Sequence, residues 1–249
     1  MKMFQQFHLA SQYLAMAGKS FLEHLEDDSH TNMGFSITEK SLWTWPLDNS
    51  GTQLGLNYTT FSLEWKTTTP QLLSLKGKTH DDVVAWLKNM AKASYFTKPY
   101  EYNLHYKLPY SMDETDTFEV SSDTEVKELI HLRTLAQNVL GAFLNEQNLK
   151  SEIRVWPHHF DTGAFGHLHD GSGKSMGLGL AIPDNLVNDF YFYISGYRGS
   201  TNLRTWAFEP LSYGKWINNG FKGAVLAASE ATEEMGLEFF REALEAYKK

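Results

Sequence analysis

Between Glu125 and Asn148 the apolar residues Val126, Leu129, Ile130, Leu132, Leu135, Val139, Leu140, Phe143 and Leu144 recur every three or four positions. This is the period of an α-helix with one broad apolar face. At 1.5 Å per residue such a helix is about 36 Å long and needs a partner surface of similar length. The flanking sequence offers mainly short Thr-, Tyr- and Phe-rich runs separated by Gly, Asn and Pro, which read as strands and turns. Stripe and strands together point to an α+β fold with antiparallel or mixed sheets.

The same order stands earlier in the chain. Residues 4 to 26 carry Phe4, Phe7, Leu14, Phe21, Leu22 and Leu25 at near-helical spacing, ending at the acidic Glu26-Asp27-Asp28 and Ser29. Strand-like runs follow, with Trp43 and Trp45 on one face and turns at Asn49-Ser50-Gly51 and near Pro70. Thr79 then opens a helix as N-cap, with Asp81 and Asp82 in the turn where the helix dipole favours negative charge. In the later part, "EIRVWPHH" takes the place of "TNMGFSI", and "EEMGLEFFREALEAYKK" answers "DDVVAWLKNMAKA". Phe21-Leu22 aligns with Phe143-Leu144, an offset of 122, and "LGLNY" from Leu54 with "LGLAI" from Leu178, an offset of 124. Both offsets are near half of the 249 residues, and an internal duplication would account for them. The expected organisation is two similar helix–multistrand–helix halves, 1–108 and 124–249. Residues 109–123, acidic and without a basic residue, form an exposed connector, and the whole packs as one unit.

Charge and residue usage exclude several classes. The net charge is −8 and no dense Lys/Arg cluster exists, so no phosphate backbone or anionic membrane surface is an expected partner. The absence of cysteine removes disulfides, thiolate metal sites and thiol nucleophiles, and fits a soluble protein of the reducing cytoplasm. No apolar run approaches the roughly 20 residues of a membrane span, and Gln5, Gln6, His8, Ser11 and Gln12 interrupt any secretory signal. The aromatic share of 14% suits thick cores, pockets and interfaces alike.

Four stretches, "FHLASQYLAMAGKSFLEHL", "GFSITEKSLWTWPL", "VWPHHFDTGAF" and "NDFYFYISGY", resemble a family of uncharacterised bacterial proteins known only as a domain of unknown function. The resemblance spans most of the chain through loose patterns. It features Trp156, Phe160 and Asp161 and not the neighbouring histidines, and it implies no activity, cofactor or catalytic residue.

Two segments carry the candidate chemistry. In "VWPHHFDTGAFGHLHDGSGKS", His167 and His169 share one strand face, as do His159 and Asp161. Two such pairs on adjacent hairpin strands would offer N and O ligands to a divalent metal such as zinc, iron or manganese. A polar, solvated hairpin has the same composition, and Asp161 equally suits a structural carboxylate on an apolar strand. Gly173-Lys174-Ser175 is no phosphate loop, because Leu168 stands where that motif needs glycine. In "DFYFYISGYRG", Phe190, Phe192 and Ile194 face one way and Tyr191 and Tyr193 the other. With Arg198 and Arg204 nearby, the tyrosine face would line a pocket for an anionic or planar molecule; with both faces covered it is core. The resulting expectations are a small-molecule pocket using Tyr191, Tyr193 and Arg198 at the junction of the halves, a metal-dependent enzyme using His159, Asp161, His167 and His169, or a protein-interaction module using the acidic connector.

Overall fold

The apolar run near the amino terminus forms α1 (Met3–Phe21), and nearly every residue from Met3 to Gly18 is buried. Such a helix has to satisfy the polar groups it takes inside. His8 Nε2 and Gln12 Nε2 both meet the carbonyl of Pro157, at 2.7 and 2.8 Å. Gln6 Oε1 accepts from Glu119 N at 2.8 Å, and Gln12 Oε1 from the Tyr106 hydroxyl at 2.6 Å. α1 is therefore sheathed on all sides and ends at Phe21, short of residue 26. Gly18 permits the close return of the chain, since a Cβ there would lie 2.5 Å from the His30 carbonyl oxygen.

The computed structural model describes residues 1–249 as an α+β protein with four α-helices and two antiparallel sheets. After α1 come β1 (Gly34–Ser36), β2 (Ser41–Trp43), β3 (Gln53–Asn57), β4 (Ser62–Lys66) and β5 (Gln71–Ser74), a five-stranded meander in chain order. α2 (His80–Ala93) follows, capped by Thr79 as its spacing predicts: Thr79 Oγ1 accepts from Asp82 N, and an Asp82 carboxylate oxygen accepts from Thr79 N. α1 packs on this sheet through Phe7, which stacks on Tyr58 at 4.3 Å and meets Phe61 at 4.7 Å. Trp43 is on β2, whereas Trp45 lies beyond it and its indole donates to Ser29 O and Asn32 Oδ1.

α3 (Asp123–Glu146) is the predicted long helix, and its stripe from Leu132 to Leu144 enters the core of a second sheet. The strands are β6 (Arg154–Trp156), β7 (Asp161–His167), β8 (Lys174–Ala181), β9 (Tyr191–Arg198), β10 (Thr201–Asn202), β11 (Lys215–Ile217) and β12 (Gly223–Ala227). Their order is β11-β12-β9-β8-β7-β6, with β10 on β9. α4 (Glu233–Lys248) closes the chain, capped by Thr232, and sets Phe239, Phe240, Leu244 and Tyr247 against Phe192 and Ile194 of β9. No helix is long and apolar enough to cross a membrane.

The chain divides into two units, Met1–His131 with Val155–His158, and Leu132–Arg154 with His159–Lys249. This division falls within α3 and not at 109–123. Those residues belong to the first unit; most are exposed, as expected, but the segment is pinned to that unit at Phe118. Phe118 is fully buried, its N–H donates to Lys78 O, and its carbonyl accepts from Gly77 N. The preceding stretch is a strap without a sheet partner. Tyr100, Tyr102, Tyr106 and Tyr110 alternate inward against α1, while Glu101, Asn103, His105 and Lys107 face out. Period-two alternation thus arises here against a polar helix face instead of a sheet.

Helix, meander and helix recur in the second unit, where β7, β8, β9 and β12 run in the same antiparallel order as β2, β3, β4 and β5. β10 and β11 are the additional strands. The aligned "LGL" stretches fall on β3 and β8, as their offset requires.

Candidate functional site

Register fixes which residues share the second sheet's outer face. Tyr193 pairs with Gly179, and Gly179 with Gly163; Ser195 pairs with Gly177, and Gly177 with Phe165. Alternation therefore puts Asp161, Gly163 and Phe165 of β7, Gly177 and Gly179 of β8, and Tyr191, Tyr193 and Tyr197 of β9 together. Phe192 and Ile194 occupy the opposite face, in the core with α3 and α4. The predicted division of the aromatic strand matches this geometry. Arg198 falls on the other alternation from the tyrosines and is exposed at the strand end, paired in register with Lys174 and Thr201. The structure brings Tyr191 and Tyr193 together and leaves Arg198 apart from them.

Three glycines form the floor of this face. A Cβ on Gly179 would meet the Tyr193 hydroxyl at 2.7 Å and Thr162 O at 2.5 Å, and one on Gly163 would meet the same hydroxyl at 3.0 Å. Tyr193 can lie across the sheet only because neither position carries a side chain. At Gly177 the nearest atoms, Ser195 Oγ and the Tyr197 ring, stand at an ordinary 3.4 and 3.5 Å. Phe165, 48% exposed, and Tyr197 stand beside this part of the floor with ring centroids 6.0 Å apart.

At the deep end lies Asp161. Its residue exposure is 7%, and Oδ2 accepts a short hydrogen bond from the Tyr193 hydroxyl. Burial first, and then the Asp161 charge, push the Tyr193 hydroxyl well above its usual pKa, so it remains the donor. Asp161 Oδ1 is buried with no hydrogen-bond partner. Tyr191 is fastened separately, its hydroxyl donating to Asp184 Oδ2 at 2.8 Å. The start of β7 is held from the core side. Arg133 of α3 donates to Thr162 Oγ1 at 2.6 Å and Phe160 O at 2.8 Å, and its guanidinium sits 4.3 Å from the centroid of the Phe160 ring. Phe160 adopts a left-handed φ of 56°, a strain of roughly 1–2 kcal/mol that burial of its ring offsets.

The four proposed metal ligands do not converge. The sequence reads as one hairpin but folds as two turns: His159 is in the exposed turn before β7, and His169 in the turn between β7 and β8. Asp161 and His167 bound the seven-residue β7, about 20 Å apart at a rise of roughly 3.3 Å per residue. His169 lines a 220 Å³ cavity with Asp170, Leu149 and Lys248.

A different cluster does converge, in the first unit. In "HLEDDSH", the ligating atoms of His24, Asp28 and His30 all lie within 4.8 Å of one another. The backbone turns tightly here, with Asp28 at φ 58° opening the 3-10 turn Ser29–Thr31. Burial, and then neighbouring His24, push the His30 imidazole below its usual pKa. Its signal in sequence is the spacing His-x₃-Asp-x-His. No family model, no curated protein and no solved structure matches the chain.

Proposed function

We propose that the protein binds a small molecule on the outer face of its second sheet, anchored by Asp161. The observation that carries this reading is the unpartnered Oδ1 of that buried carboxylate. A buried carboxyl oxygen without a donor costs roughly 1–3 kcal/mol, and an occupant that supplies a donor removes that cost. The complementary group is an ammonium or another N–H donor. Beyond the Tyr193 ring, four residues along β7 from Asp161, the floor at Gly177 and the rings of Phe165 and Tyr197 suit a planar, apolar body at the far end of an elongated ligand. Small aryl amines combine both features, and cation–π contact with the tyrosines adds to the ion pair.

The shared order of strands supports descent of the two units from one duplicated ancestor. On that reading their outer faces have diverged. In the first unit Trp43 covers the floor at Gly55, where a Cβ would touch its ring at 2.4 Å. Its indole donates to Glu39 at 2.8 Å, and Lys66 Nζ stands 4.4 Å from its ring centroid. In the second unit the residue paired with the corresponding glycine is Gly163. Tyr193 lies over the corresponding Gly179 and over Gly163, so what distinguishes the second face is the orphan carboxylate and the floor at Gly177, which no side chain crosses closely.

The test is calorimetric titration of an aryl-amine panel, phenethylamine first, into the wild type and Asp161→Asn. Binding to the wild type and at least about tenfold weaker binding to the variant is expected, since a charge-assisted bond is worth roughly 1.5–3 kcal/mol. Folding stability in the free variant that holds or rises separates this from a structural role of the Tyr193–Asp161 bond, whose loss would lower it. No amine binding at millimolar concentration, or equal affinity in both proteins, contradicts it.

A further inference from the structure

The structure assigns a second site, independent of the first: we propose that the turn after α1 binds a divalent metal of the zinc type through His24, Asp28 and His30, with His105 positioning the Asp28 carboxylate. Two imidazoles and one carboxylate are the donor set that zinc accepts in three-ligand sites, leaving a fourth position for water. The His24 and His30 rings stand nearly perpendicular, at 82°, with centroids 5.1 Å apart, so they do not stack and exclude an ion between them.

His105 supplies the second observation. It comes from the strap, 77 residues after Asp28, and its Nε2 meets Asp28 Oδ2 at 3.0 Å. Lys19 Nζ approaches the other nitrogen, Nδ1, at 3.4 Å and donates to Asn103 O at 2.8 Å. A lysine donor at Nδ1 places the imidazole proton on Nε2, where it is given to Asp28 Oδ2. Oδ1 is left for the ion. Partners of this kind orient carboxylate and imidazole ligands and tune their affinity.

The turn is held before any ion binds. Asp28 N donates to Leu25 O at 3.0 Å, Thr31 N and Oγ1 both donate to Asp28 O, and the Trp45 indole donates to Ser29 O. Little ordering is left to be done on binding, which favours affinity. The one contact that ligation displaces is that of Leu25 N with His30 Nδ1, at 3.3 Å the longest hydrogen bond in the turn. An open coordination position would admit an oxygen or nitrogen donor from solvent or a ligand.

The experiment uses full-length protein without a histidine tag, titrated with zinc chloride by calorimetry and with cobalt chloride by visible absorption. One equivalent of zinc and the intense d–d bands of four-coordinate cobalt are expected. His24 is exposed, so His24→Ala is expected to fold normally and to weaken zinc binding at least tenfold, and His105→Asn to weaken it roughly tenfold or more. The pair His159→Ala and His167→Ala is expected to leave binding unchanged. Absence of zinc binding at about a hundredfold excess, six-coordinate cobalt spectra only, or equal affinity in His24→Ala and wild type would overturn the assignment.

Discussion

Glycine positions separate floor from wall on the second sheet. Gly179 lies under Tyr193, and a Cβ there would be 2.5 Å from a backbone oxygen, which cannot move without shifting β7. Gly179→Ala is therefore expected to lower unfolding free energy by roughly 1–3 kcal/mol in urea titration. Gly177→Ala meets only ordinary contacts and is expected to change stability by less than about 0.5 kcal/mol. Its methyl would occupy the floor on which a ring must lie, so amine affinity should fall although stability does not. Both glycines are visible in "MGLGLAI", but their roles are not, because what crosses each one depends on a strand that arrives later in the chain. The alternation of Tyr191 and Tyr193 was legible for the opposite reason: period two is local. Asp161 was legible as a notable residue, and its orphan oxygen was not, since an absent partner is a property of three dimensions. The metal-type cluster teaches the same lesson. Histidines are densest between His158 and His169, and that density drew the expected ligands there, yet a strand spreads them along its length. The sparser spacing of His24, Asp28 and His30 converges because a left-handed residue folds the chain back.

Among the elements, the helices were the easiest to read and the strap the hardest. The α3 stripe and the Thr79 cap are local, periodic signals, and both stand where spacing puts them. α1 carries an apolar pattern as well, but its buried Gln6, His8 and Gln12 look like a solvent face until the strap that covers them is in place. The strap depends on those polar groups. Tyr106→Phe removes the donor to Gln12 Oε1, in a residue with no exposure, and is expected to cost about 1–3 kcal/mol. Hydrogen exchange should then show faster opening of residues 100–110. Tyr102→Phe, which breaks no such bond, is expected to cost less.

For the whole molecule, the repeated order of helix, antiparallel meander and helix was readable from two weak offsets because topology follows element order. The division inside α3 was not readable, since one continuous stripe gives no sign of where its neighbours change. Stability at mild acid pH follows from His80. Burial pushes its imidazole below the usual value, Asp81 opposes this weakly, and Tyr13 and Tyr102 enclose it. The unfolded chain thus takes up a proton near pH 6.5 that the native state refuses until lower pH. Stability contributed by neutral His80 is complete above that value and is lost as pH falls from about 6.5 towards the native pKa. Urea unfolding at pH 7.5 and 5.5 should show the decline, and His80→Phe should lessen it, the buried His30 imidazole contributing the remainder in the same direction.

The two sheets share a topology, and on the proposed reading only the second carries a ligand on its outer face, between the buried Asp161 carboxylate and the floor at Gly177. Residue-resolved NMR during titration with phenethylamine tests it most directly. The account predicts chemical-shift changes at Asp161, Phe165, Gly177, Tyr193 and Tyr197, with Trp43, Gly55 and Lys66 of the first sheet unmoved. Shifts centred on the first sheet, or none at millimolar amine, would contradict it.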